Sequence, residues 1–91
     1  MDIVCSSLYE EQLKAVLDQK LLNEDFSATK KFKLYLDTIL INLPTKAQKY
    51  KKSIYFNDDN VKDIEHEGFT IVFYIDTNND IYLILSLFVK L

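Results

Sequence analysis

Residues equipped for chemistry are few in this 91-residue chain, and most of them are charged. His66 is the only histidine and Cys5 the only cysteine. A zinc-type site needs three or four nitrogen and sulfur ligands, so neither residue has the company such a site requires. No serine or cysteine stands at a spacing that assigns it to His66 as a nucleophile. His66 lies beside the turn signal Glu67-Gly68 and is expected to be a solvated turn residue. Cys5 follows Ile3-Val4 and is expected to be a small buried hydrophobe; alone, it excludes an intramolecular disulfide. Asn57-Asp58-Asp59-Asn60 and Thr77-Asn78-Asn79-Asp80 gather oxygen atoms. They lack the alternating ligands, central glycine and distal glutamate of a calcium loop, so polar loops are expected. With a single glycine in the chain, no glycine-rich phosphate cradle exists. Neither a catalytic residue, a metal nor a cofactor is expected.

The densest charge signal is Lys46-Ala47-Gln48-Lys49-Tyr50-Lys51-Lys52. Four lysines around a tyrosine suit contact with a nucleic acid or an acidic protein, with Tyr50 available to stack. The same segment also reads as a solvated loop. Residues 30–52 carry seven lysines and one acid, whereas both flanks are acidic and the net charge is −3. That overall acidity argues against direct nucleic-acid binding by the chain alone, which needs a positive field. No arginine is present, so no guanidinium fork can grip a phosphate or carboxylate.

The elements that must position these residues follow from periodicity. Residues 2–5 read as a short strand. Ser7-Leu8-Tyr9-Glu10 has the capping-box form, and Tyr9, Leu13, Val16, Leu17 and Leu21 make one helical stripe, so a helix is predicted over about residues 8–22. Asp25 or Ser27 caps a second helix. Its apolar stripe is Ala28, Phe32, Leu36, Ile39, Leu40 and Leu43, and Pro44 marks its end. A short connection between two amphipathic helices makes a helical hairpin. From Ser53 the period changes. Ser53–Phe56 and Val61–Ile64 are one interrupted strand or two short pieces joined by a turn. Phe69–Ile75 reads as a central strand, Thr77–Asp80 as a hairpin loop and Ile81–Val89 as the last strand. The fold class is therefore α+β, in the order β-α-α-β-β-β, with an N-terminal helical hairpin packed on an antiparallel sheet. One domain spanning residues 1–91 is expected.

Phe69, Ile71, Phe73 and Ile75 share one strand face, and Val72 and Tyr74 the other. In the last strand Ile81, Leu83, Leu85, Leu87 and Val89 alternate with Tyr82, Ile84, Ser86 and Phe88, so both faces are apolar. Helices can cover only one of them. The other faces a partner, or a core larger than this arrangement suggests. No basic leader precedes an apolar run, and Ile81–Val89 is too short to span a bilayer. A cytoplasmic chain with no membrane association is the expectation.

These segments together resemble the RelE/ParE toxin superfamily, and a small ParE-like branch most of all. The resemblance rests on Ser7-Leu8-Tyr9-Glu10-Glu11-Gln12-Leu13, on Phe32, Leu36-Asp37, Ile39 and Leu43-Pro44, and on Tyr50-Lys51-Lys52-Ser53-Ile54-Tyr55-Phe56. It continues through Asn60-Val61-Lys62-Asp63 and Gly68-Phe69-Thr70-Ile71-Val72-Phe73, and so covers essentially the whole chain. It implies a bacterial type II toxin that arrests growth and is neutralised by a cognate antitoxin. RelE-type members cut mRNA on the ribosome, using basic residues on the first hairpin strand, an arginine after the Gly-aromatic pair, and an arginine and tyrosine beyond the last strand. Here the corresponding positions hold Lys62 among acids, Thr70, and Lys90-Leu91. Without cations to stabilise charge developing on a phosphate, cleavage loses its main electrostatic contribution.

ParE-like members act by binding, commonly to DNA gyrase. The resemblance thus implies a non-enzymatic toxin. Lys46, Lys49, Tyr50, Lys51, Lys52 and Lys62 are the candidate target contacts. Val72, Tyr74, Tyr82, Ile84 and Phe88, on the second sheet face, are the candidate antitoxin contacts, where a disordered tail would fold on binding. Two alternatives stand beside it: a ribosome-dependent mRNA endonuclease with a lysine-based site around Lys52 and Lys62, and a non-toxic remnant that only binds its antitoxin.

Overall fold

The computed structural model describes residues 1–90. The chain runs β1 (Asp2–Cys5), α1 (Ser7–Asn23), α2 (Phe26–Ile41), α3 (Leu43–Lys46), a 3₁₀ turn (Ala47–Lys49), β2 (Lys51–Lys52), β3 (Val61–His66), β4 (Phe69–Asp76) and β5 (Ile81–Val89). The strands form one five-stranded sheet in the order β1-β5-β4-β3-β2. The helical hairpin packs on one face. This is the expected α+β arrangement of helical hairpin and hairpin-linked strands.

One edge of the sheet is parallel: β1 pairs with β5, with Asp2 opposite Ile81 and Cys5 opposite Ile84. Parallel neighbours cannot be joined by a tight turn. Here the whole intervening chain is the crossover, so no local pattern announces the pairing, and the sheet is mixed rather than wholly antiparallel.

α1 begins one residue earlier than the capping-box pattern suggests. The cap is Ser6, whose Oγ accepts from the Tyr9 backbone N–H at 3.0 Å. The reason lies in the sheet. β1 has four residues and β5 nine, so β5 extends past Cys5 with unpaired backbone groups. α1 satisfies them. The Ser6 N–H donates to the Ile84 carbonyl at 2.9 Å. The Ser6 hydroxyl donates to the Leu85 carbonyl at 2.7 Å, and Gln12 Oε1 accepts from the Leu87 N–H at 2.7 Å. Ser6 is therefore both a helix cap and a strand-edge cap. Ser6→Ala is expected to cost about 1–2 kcal/mol in urea denaturation, because it removes both functions at once.

Asp25 caps α2, its Oδ1 accepting from the Ala28 N–H at 2.7 Å. Pro44 does not simply end this helix. It sits in the first turn of α3, where its missing N–H costs nothing. The two hairpin turns differ in kind. Glu67 and Gly68 both have positive φ, +48° and +82°, as a two-residue turn matched to strand twist requires. Between β4 and β5, Asp76 closes the longer loop by accepting from the Asn79 N–H and side-chain amide.

β2 is a correction to the expected strand at Ser53–Phe56. Only Lys51 and Lys52 pair with β3, opposite Asp63 and Lys62. Residues 53–60 leave the sheet edge and fold over its outer face. Ser53 is buried, and Tyr55 meets Phe88 edge-on with ring centroids 5.0 Å apart.

The helix-facing core joins Tyr9, Phe32, Leu36, Leu40, Leu43 and Ala47 to Ile64, Ile71, Phe73, Ile75, Tyr82, Ile84 and Leu87. The presence of Ile84 and Leu87 on one side breaks simple alternation. Val72 pairs with Ser86 but Phe73 pairs with Ile84, leaving Leu85 as an extra residue. This β-bulge reverses which residues of β5 point inward.

Tyr9 is 2% exposed, and its hydroxyl has no hydrogen-bond partner. Burial, followed by the neighbouring Cys5 and Asp37, pushes its pKa up to about 12. The neutral phenol is thus favoured by the fold. Its stabilising contribution is complete below the ordinary tyrosine range near pH 10 and is lost as pH rises through 12. Tyr9→Phe is expected to leave the protein equally stable or about 1 kcal/mol more stable at pH 7, and to flatten the loss of melting temperature between pH 10 and 12. An unchanged alkaline profile in the variant would show that another group controls it.

Candidate functional site

The basic segment follows α2 and crosses the β2 edge of the sheet. The 3₁₀ turn and β2 bring Lys49, Tyr50, Lys51 and Lys52 around a groove of about 420 Å³, whose other walls are Ile54, Asp63 and Glu65. The remaining two candidate target contacts lie outside it. Lys46 is exposed at the end of α3. Lys62 points its amine at the Tyr50 carbonyl, 3.1 Å away.

Strand register separates the two lysines of β2 themselves. Opposite residues of an antiparallel pair share a face, so Lys51 goes with Asp63 and Lys52 with Lys62 on the other side. Lys52 is held by Asp59 at 3.2 Å, a pair in which both partners are largely solvated. Lys46, Lys49 and Lys51 pair with no carboxylate among the described residues.

Tyr50 is not the open stacking platform expected. It is half-buried and its ring lies edge-on to Phe73, with centroids 5.9 Å apart. An aromatic residue in that position anchors the basic segment to the core. The exposed apolar side chains here are Ile54, Tyr55 and Phe56, of which Ile54 is 84% exposed. They stand beside the lysines in the residue 53–60 loop.

The five candidate antitoxin contacts do not form one open face. Tyr82 and Ile84 lie in the helix-side core, at 7% and 0% exposure, because the bulge at Leu85 shifts the parity of β5. Val72, Tyr74 and Phe88 are on the outer face, but Val72 is fully buried. Phe88 is covered in part by Tyr55. The chain's own loop thus covers much of a face that alternation assigns to a partner.

Thr70, at the position where the resemblance places an arginine, is 1% exposed and presents no cation. His66 also differs from expectation. Its ring is tucked between Phe32 and Tyr35, with centroids 6.3 and 6.2 Å away. Its Nε2 is buried without a hydrogen-bond partner. Cys5 is half-buried, and its thiol pKa is raised by burial and by Glu10 and Asp37, which opposes thiolate chemistry. Among the described residues, no cluster of three or more His, Cys, Asp or Glu side chains could hold a metal ion. No helix is long and apolar enough to cross a membrane.

Two surfaces were not foreseen. One is a largely apolar cleft of about 440 Å³ between the C-terminal half of α1 and the end of the sheet, lined by Ala15, Val16, Gln19, Lys20, Phe69 and Val89 among others. The other is the solvent side of α2, where Phe26, Leu34 and Ile41 are exposed. The sequence signal for the second was present: these three apolar residues fall outside the core stripe of their own helix.

The architecture, a helical hairpin on a sheet whose last strand is bordered by the first, is a ParE-like fold. A solved structure described as the "Chromosomal ParDE TA system from P. aeruginosa" superposes with a TM-score of 0.80, over 100% of this chain and 97% of that one, at 14% identity. No protein-family model and no curated relative matches the sequence.

Proposed function

We propose that this chain is the toxin of a type II toxin–antitoxin pair, that it arrests growth by binding its target, and that the target is DNA gyrase. The antitoxin is a cognate protein that neutralises it by binding. The observation that carries this reading is the full-length likeness to a protein of a ParDE TA system, in which fold, element order and chain length agree. Binding is preferred to catalysis because the titratable groups along the lysine-lined edge are solvated or already engaged: Asp63 accepts from the Ile54 N–H and Glu65 pairs with Lys90. Its lysines are exposed, held by surface ion pairs, or engaged with backbone.

Lys46, Lys49, Lys51 and Lys52 are the proposed target contacts, with Ile54 and Phe56 supplying apolar area beside them. Charges of this kind accelerate and orient encounter with an acidic surface, while the adjacent apolar side chains supply burial. For the antitoxin, Tyr74 and Phe88 remain the accessible members of the outer face.

The test is induction of the chain alone and together with its neighbouring open reading frame, with growth followed and mRNA 5′ ends mapped. Arrest relieved by the neighbour, with no new codon-phased ends, supports a binding toxin. New codon-phased ends would move the assignment to a ribosome-dependent endonuclease. Undisturbed growth would leave only an antitoxin-binding remnant.

A further inference from the structure

α2 carries two apolar stripes. One, through Phe32, Leu36 and Leu40, enters the core. The other faces solvent: Phe26, Leu34 and Ile41 are 71%, 60% and 70% exposed. At about 100° per residue, these three fall within a sector of roughly 80°, and Lys30 and Asp37 lie in the same sector. Lys30 is exposed and pairs with no carboxylate among the described residues. Asp37 is tied within its own helix to Lys33, and its side chain is 42% exposed.

The order of these residues is self-complementary in one arrangement. Let two α2 helices lie antiparallel about a two-fold axis between Lys33 and Leu34. Phe26 of each copy then falls opposite Ile41 of the other, and Lys30 opposite Asp37, each pairing occurring twice by symmetry. Leu34 meets its counterpart beside the axis. One register therefore matches apolar with apolar and cation with anion along about 24 Å of helix. The parallel alternative sets Lys30 against Lys30 and Asp37 against Asp37, which is repulsive. Asp37 would sit between its own Lys33 and the Lys30 of the other copy, so each carboxylate is shared by two lysines.

We propose that this face binds a second copy of the same chain, giving a two-fold dimer through antiparallel α2 helices. The contact leaves the lysine-lined β2 edge free and does not depend on the reading of that edge.

Sedimentation equilibrium of the full chain across the micromolar to millimolar range tests it. The expected mass rises with concentration from 10.7 kDa toward twice that value. Leu34→Asp and Lys30→Asp are each expected to weaken the dimer on the order of a hundredfold: Lys30→Asp sets a carboxylate against Asp37 twice, and Leu34→Asp sets two carboxylates against each other beside the axis. Their circular dichroism and melting should match the parent, since both residues are exposed. Combining Lys30→Asp with Asp37→Lys exchanges the charges across the axis and is expected to restore dimerisation to within about tenfold of the parent. A parent chain that stays monomeric throughout overturns the proposal, as does a dimer indifferent to Leu34→Asp. Failure of the charge-exchanged variant to recover overturns the register, and the proposal with it.

Discussion

Ile84→Asp is expected to unfold the chain or leave it barely stable, whereas Leu83→Asp, one residue earlier on the same strand, is expected to leave it folded. Ile84 is 0% exposed and packs with Phe73, Ile71 and the helices, while Leu83 pairs with Tyr74 on the outer face. A carboxylate at position 84 has no partner in that apolar core. The expected loss exceeds about 4 kcal/mol, a large part of the 5–15 kcal/mol that holds a domain of this size together. At position 83 the new side chain can reach water, and the expected cost is about 1–2 kcal/mol. Far-ultraviolet circular dichroism and urea titration of the two variants decide the matter. Equal losses would mean that β5 does not change parity at Leu85.

Replacing Lys46, Lys49, Lys51 and Lys52 together by Ser is expected to abolish the proposed growth arrest while leaving the fold intact. The four lysines are exposed, and the one ion pair among them, Lys52–Asp59, is solvated and worth about 0–1 kcal/mol. Little stability is therefore at stake, and the melting temperature is expected to move by no more than about 5 °C. Target affinity, by contrast, loses four charges from one segment of a chain whose net charge is already −3. The expected weakening is on the order of a hundredfold or more. Undiminished arrest by the quadruple variant would remove the basic segment from the target interface.

Local chemistry in the sequence carried much of this architecture, and the misses share a cause. The two helices are legible because Tyr9, Leu13, Val16 and Leu17 in the first and Phe32, Leu36 and Leu40 in the second recur at helical spacing, and the strands because Phe69–Ile75 and Ile81–Val89 are rich in branched and aromatic residues. The Glu67-Gly68 turn was legible because glycine readily takes the positive φ found there. By contrast, β1 joins the sheet through a pairing with residues some eighty positions away, and no local pattern encodes that. Ser6 rather than Ser7 caps α1 because the exposed edge of β5 needs the same hydroxyl.

The candidate site was harder to read for a related reason. Tyr82 and Ile84 looked like members of an outer face because alternation was counted without a bulge, and Leu85 gives no sequence sign that it is the extra residue. Val72 looked accessible because the fold of residues 53–60 over the sheet depends on contacts such as Tyr55 with Phe88. The lysines of the basic segment were visible from composition alone, but their distribution over two faces required the register of β2. His66 looked like a turn residue from its neighbours in sequence, whereas its ring is placed by Phe32 and Tyr35 from the other layer.

If the chain acts by binding gyrase, as proposed, plasmid supercoiling by purified gyrase must respond to it. Relaxed plasmid, ATP and gyrase are incubated with increasing amounts of the chain, with and without the product of the neighbouring reading frame. The expected result is loss of supercoiling or accumulation of trapped cleavage complexes in proportion to the chain added, reversed by the neighbouring product. Unaltered supercoiling with the chain in excess, when the same chain still arrests growth on induction, would rule gyrase out as the target.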